Sequence, residues 1–216
     1  MLSPAEQTQV RESLARVEAR AYQALERTCD PWQAMGFVKS VHSSIDDLAA
    51  TLGQTSPLPE CKAGCSYCCG NRVSVSDPEA LQLATHVRSL PGTAQARLTL
   101  TLKLRAAQHA DASLAANHPC AFLAAGHCTV YAIRPAVCRK AHSLSAQACA
   151  SGQAVIPQKL DLLLQAEVVI AGSAAAYRRR GLSADFNELS TAVLAALKQT
   201  DSAERWFQGE PLVAEP

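Results

Sequence analysis

Eight of the nine cysteines fall into two groups whose residue type and spacing suit soft-metal chemistry. The first group, CKAGCSYCC, places Cys61, Cys65, Cys68 and Cys69 inside one short stretch. Cys65 and Cys68 form a CxxC, the spacing at which a tight turn brings two sulfurs to within about 4 Å around one ion, given metal-sulfur bonds near 2.3 Å. Gly64 and Gly70 suit the sharp backbone that such a turn needs. Cys68 and Cys69 are adjacent, and neighbouring side chains diverge, so the pair is expected to serve two different metals, or to divide ligation from packing. One mononuclear site strains as an explanation.

The second group runs CAFLAAGHCTVYAIRPAVCRKAHSLSAQAC and spaces Cys120, Cys128, Cys138 and Cys149 more widely, as ligands on separate loops folding back on the first group. Eight thiolates can fill two tetrahedral sites, one binuclear site with bridging sulfur, or an iron-sulfur cluster with cysteines to spare. Thiolate ligation selects zinc, cuprous copper or iron-sulfur over magnesium or calcium. Two divalent ions with eight thiolates would sum to about −4, and Lys62, Arg72, Arg134, Arg139 and Lys140 stand close in sequence to offset it. His118, His127 and His142 flank cysteines and are read as neighbours rather than ligands. Cys29 is read as a core or interface residue, and His42, His86 and His109 as surface or rim residues of helices.

These motifs, CKAGCSYCC at 61–69, CAFLAAGHCTVYAIRPAVCR at 120–139 and HSLSAQAC ending at Cys149, resemble the bacterial YkgJ-type cysteine-cluster family, a zinc- or iron-chelating domain. The resemblance covers roughly residues 60–150. It implies outer roles for Tyr131, Arg134, Pro135 and Arg139, with an arginine hydrogen-bonding metal-bound sulfur and Tyr131 walling the site, against the plainer reading of a core tyrosine and solvated arginines. A related cysteine-rich domain accompanies bacterial flagellin lysine methylases, so the resemblance also allows an enzymatic setting.

The elements that must position the cysteines read as helices. Ser3, Pro4 and Glu6 give a capped start for a helix with Val10, Leu14, Val17, Ala21 and Leu25 at helical spacing, ending near Thr28. Asp30 and Pro31 start a second, whose stripe runs from Trp32 through Met35, Val38, Val41, Ile45, Leu48 and Leu52 to Gly53; the two are expected to pair as a hairpin. Ser76, Pro78 and Glu79 cap a third helix to about Leu90, and residues 93–116 favour a fourth by propensity. From Asn117 to Ala150, loops and short elements are expected. A helix follows Pro157 and ends at Arg178, Arg179, Arg180 and Gly181, a run explained by dipole complementarity and capping. A last helix is expected from Asp185 to Lys198, and the final residues should fray.

The fold class is therefore mainly α, a helical bundle with a loop-rich, metal-organised cysteine-cluster core. Its expected parts are an N-terminal helical hairpin at 1–59, a metal-binding domain at 60–150 and C-terminal helices at 151–216 packing on the same core. Hydrophobic residues make up 48% and charged ones 18%, as in globular chains, and a net charge of +1 gives no field to gather nucleic acid or anionic membrane. The N-terminus lacks a secretory pattern, and no long uninterrupted apolar run is visible, so a cytoplasmic location is expected, where thiols stay reduced.

The leading reading is a metal-binding protein, zinc or iron-sulfur, with a structural or metal-handling role. The rivals are a metal-dependent enzyme modifying a protein substrate and a thiol-disulfide redox protein using Cys65 and Cys68. The partners implied are metal ions, with room for a protein partner. Catalytic residues, metal identity and oligomeric state stay open at this level.

Overall fold

The computed structural model describes residues 3–62, 64–110 and 118–213. Helix α1, Pro4–Leu25, begins at a reciprocal capping box: the Glu6 N–H donates to Ser3 Oγ at 3.3 Å and the Ser3 N–H to Glu6 Oε2 at 2.7 Å. Asp30 caps α2, Pro31–Gly36, and α3 follows at Val38–Gly53, so the second expected helix is divided at Phe37. Phe37 keeps helical backbone angles, and its N–H is shared between the Gln33 and Ala34 carbonyls at 3.2 and 3.3 Å. Gly36 weakens helix propensity there, and the local turn tightens without reversing the chain.

Strand β1, Ser74–Ser76, runs into α4, Asp77–Ser89, and α5 spans Gly92–Ala110. The expected fourth helix is thus seen as far as Ala110; residues 111–116, and Asn117 after them, lie outside the described residues. Strands β2, Leu123–Ala124, and β3, His127–Cys128, form a minimal hairpin. Its turn residues, Ala125 and Gly126, have φ of 48° and 78°, the left-handed pair of a tight hairpin turn. Helices α6, Ala136–Lys140, and α7, Ala146–Ala150, are short.

Helix α8, Leu160–Arg179, ends as expected, with Gly181 at φ 82° and the Leu182 N–H reaching back to the Tyr177 carbonyl at 2.9 Å. Strand β4, Phe186–Glu188, then pairs antiparallel with β1, Val75 facing Asn187. Pairing with β1 takes the residues where a helix was expected to begin. Helix α9 is consequently Leu189–Lys198, capped by the Glu188 carboxylate on the Thr191 N–H at 2.8 Å. A further helix, α10, Ser202–Phe207, was not foreseen.

Helices α1 and α3 both pack on α8, and this, rather than a hairpin between the first two helical segments, is their principal contact. Gly172 lets α1 and α8 approach: a Cβ there would fall 2.7 Å from Val17 Cγ1. Helices α4 and α5 pack on α9, and Trp206, Tyr177 and Phe122 fill the interior. The Tyr177 hydroxyl donates to the Ala34 carbonyl at 2.9 Å and the Trp206 indole N–H to the Ser183 carbonyl at 2.7 Å, so both aromatic side chains satisfy their polar tips. Leu25, Leu83, Phe122, Tyr177 and Trp206 belong to one apolar cluster, drawn from the N-terminal, central and C-terminal thirds of the chain. By length and composition α8 is apolar enough to cross a bilayer, which the sequence reading did not anticipate; here α1, α3 and α6 pack against it.

Candidate metal centre

The chain enters the first cysteine group tied to the second. The Glu60 N–H donates to the Ser143 carbonyl at 2.9 Å, and the Ala146 N–H donates to Glu60 Oε2 at 2.6 Å. The Ser143 N–H points at Cys61 Sγ at 3.2 Å, a donor that favours a thiolate. Gly64, at φ 84°, makes the turn between Cys61 and Cys65, and a 3-10 turn, Tyr67–Gly70, carries Cys68 and Cys69. The Cys120 N–H donates to the Cys69 carbonyl at 2.7 Å, closing the two distant stretches on each other. Cys128 lies in β3, Cys138 on α6 and Cys149 on α7, which packs on the 3-10 turn.

The thiols influence one another in two sets. Burial pushes the Cys61 thiol up, and Cys65, Cys68 and Cys149 add repulsion that the Ser143 N–H opposes. Burial pushes Cys138 up to about 12, with Cys120, Cys68, Cys128 and Glu79 contributing. Cys120 is raised by burial too; Cys128 and Glu188 add to it, while a backbone hydrogen bond from Phe122 and the charge of Arg105 oppose. The adjacent pair splits: a hydrogen bond between them pulls Cys69 down and pushes Cys68 up, and the further neighbours of Cys69 are Cys120, Cys128 and Cys138. Cys61 thus feels Cys65, Cys68 and Cys149, and Cys69 feels Cys120, Cys128 and Cys138, while Cys68 meets Cys69 directly and also acts on Cys138.

Arg134, Arg139 and Lys140 are turned elsewhere than the sequence suggested. Arg139 hydrogen-bonds Asp46 and the Ala132 and Arg134 carbonyls, and Arg134 reaches Asp46 at 3.3 Å while stacking 4.0 Å above the Tyr131 ring. Lys140 pairs with Glu167. These arginines brace backbone and a carboxylate instead of sulfur, and Tyr131 is exposed. His142 has both ring nitrogens engaged, Nε2 accepting from the Lys159 N–H at 2.7 Å and Nδ1 against the Lys140 carbonyl at 2.8 Å. His127 Nδ1 lies 2.9 Å from the Ala125 carbonyl, and the buried Nε2 of His118 has no hydrogen-bond partner among the described residues. Cys29 is exposed in the turn before α2, not in the core.

His42 is not a rim residue. It is 4% exposed, and its Nε2 lies 3.0 Å from Glu79 Oε1. Glu79, read from sequence only as a capping acid, is equally buried, and its Oε1 also accepts the Ala136 N–H at 2.6 Å. Nothing in the local spacing marks His42, because its partner lies on another helix.

The donor set is chemically that of a soft-metal site: thiols gathered from two distant stretches, several pushed up by burial and, to a lesser degree, by one another's charge, both of which a cation would offset. Among the described residues no group of three or more His, Cys, Asp or Glu side chains is set closely enough to hold a metal ion as placed.

Fold and site together define a mainly helical protein carrying a cysteine-cluster module. Residues 60–158 match the family model CxxCxxCC, described as "Putative zinc- or iron-chelating domain", so this part of the chain is similar to that family, as its motifs suggested. No curated protein and no solved structure matches the chain.

Proposed function

We propose that this protein binds two zinc or iron ions through eight thiolates, one ion by Cys61, Cys65, Cys68 and Cys149 and the other by Cys69, Cys120, Cys128 and Cys138. The observation that carries this reading is the closure of the two cysteine stretches on each other, through the Cys120 N–H on the Cys69 carbonyl at one point and the Ser143 N–H on Cys61 Sγ at another.

A bound ion supplies the positive charge that converts these thiols to thiolates and fixes the loops that carry them. The chain contributes the donors, the Ser143 N–H on Cys61 and the backbone ties between the two stretches. The role that follows is structural or metal-handling. A reducing, cytoplasmic setting belongs to the same proposal, because there so many thiols stay free to ligate.

Anaerobic purification with elemental analysis and a visible spectrum tests it. Stoichiometric zinc in colourless protein supports thiolate-bound zinc, and iron with sulfide and absorbance near about 400 nm supports an iron-sulfur cluster. Protein that holds neither metal after anaerobic reconstitution overturns the proposal.

A further inference from the structure

The regular elements that carry the cysteines are short, and the segment bearing Cys138 is held on both sides of that residue through one face of α3. His42 and Asp46 stand one helical turn apart on α3, the spacing that puts two side chains on the same face. His42 meets Glu79, whose Oε1 takes the Ala136 N–H, two residues before Cys138. Asp46 takes the Arg139 guanidinium, one residue after Cys138, and Arg139 in turn grips the Ala132 and Arg134 carbonyls.

Glu79 does more than a capping-box acid requires. Its Oε2 accepts the Ser76 N–H and Oγ–H at 2.9 and 2.8 Å, while Oε1 accepts from α3 and from the start of α6. Its carboxyl is held below the usual range: the hydrogen bonds from His42, Ala136 and Ser76 outweigh burial, the largest opposing influence. An ionised carboxylate only accepts, so His42 carries its proton on Nε2. Four donors on one buried carboxylate join α3, α4 and α6 rigidly, since each unmade bond would leave a buried polar group unpaired.

We infer that His42, Glu79 and Asp46 form a polar clamp that positions Cys138 toward Cys69, Cys120 and Cys128. They are positioning residues: none is a ligand, and their effect on the ion runs through the Cys138 backbone. The inference rests on the metal-binding reading above. Metal ligands elsewhere depend on such outer supports by about 10- to 100-fold in affinity.

The test uses the full chain, prepared metal-free under anaerobic conditions, with Glu79→Gln, Asp46→Asn, His42→Leu and His42→Gln, the last keeping a side-chain N–H for Glu79. Cobalt(II) is titrated as a spectroscopic probe, and the alkylation rate of each cysteine is followed by peptide mass spectrometry, with Cys61 as the internal control. The clamp is supported if Glu79→Gln and His42→Leu weaken cobalt binding by about 10- to 100-fold, speed Cys138 labelling over Cys61 labelling, and are rescued in part by His42→Gln. Cobalt affinity and Cys138 labelling unchanged in both variants overturn the clamp while leaving metal binding intact. Wild-type protein that takes up no cobalt sinks the metal reading instead, and Cys138 labelling then decides the clamp alone. Should Glu79→Gln fail to fold, Asp46→Asn and the His42 pair, judged on folded protein by circular dichroism, decide in its place.

Discussion

The interior around α4, α8, α9 and α10 and the cysteine region at 60–70 and 118–150 are built on different physics. In the first, Leu83, Val87, Ala192, Val193 and Trp206 are fully buried, and long helices meet along apolar faces. In the second, regular elements run two to five residues, and every cluster cysteine keeps some exposure. Apolar burial stabilises the first region directly. The second contributes Phe122, Val130 and Ala136 to the apolar interior but depends besides on backbone ties such as Cys120 to Cys69 and on the clamp around Cys138. Two regions of one chain can thus fail separately, and that separation is measurable.

The largest expected effect is on the cysteine side: Cys65→Ser and Cys138→Ser each remove one metal equivalent in elemental analysis and raise hydrogen exchange in 60–70 and 118–150, while α8 and α9 stay protected. Equal deprotection of all helices would erase the contrast between the regions. On the core side, Trp206→Ala costs about 3–5 kcal/mol in chemical unfolding, as loss of a buried aromatic does, with metal stoichiometry unchanged. Loss of metal in that variant would show that the core also sets the site.

A pH series sharpens the core side further. Asp77 is fully buried, and burial raises its carboxyl from 3.8 to about 6. An acid raised by folding binds its proton more tightly when folded, so its contribution is present below about pH 4 and is lost as pH climbs through about 6. Asp77→Asn keeps an acceptor for Ser183, and should therefore gain on wild type by about 2–3 kcal/mol between pH 4 and pH 7. A constant difference across that window would disprove the assignment. The smallest effect is expected at Gly172→Ala, about 1–3 kcal/mol by overpacking, because the new Cβ meets Val17 and lies 3.1 Å from the Leu14 carbonyl oxygen. Unaltered stability there would mean α1 and α8 can shift apart freely.

The sequence by itself determined the helix starts at Ser3, Asp30 and Ser76, the stop at Gly181 and the two cysteine groups, because caps, prolines and cysteine spacing act within a few residues. Tertiary structure alone decided that residues 186–188 pair with β1, that the first helices rest on α8, and that Arg134 and Arg139 serve Asp46. The same holds for His42, whose partner Glu79 lies 37 residues further on, and for Cys149, whose helix α7 packs on the 3-10 turn of Cys68 and Cys69. Periodicity and capping report which face of a helix is apolar and where it ends. They carry no information on which distant group will meet a given side chain, since that follows from how the whole apolar core closes.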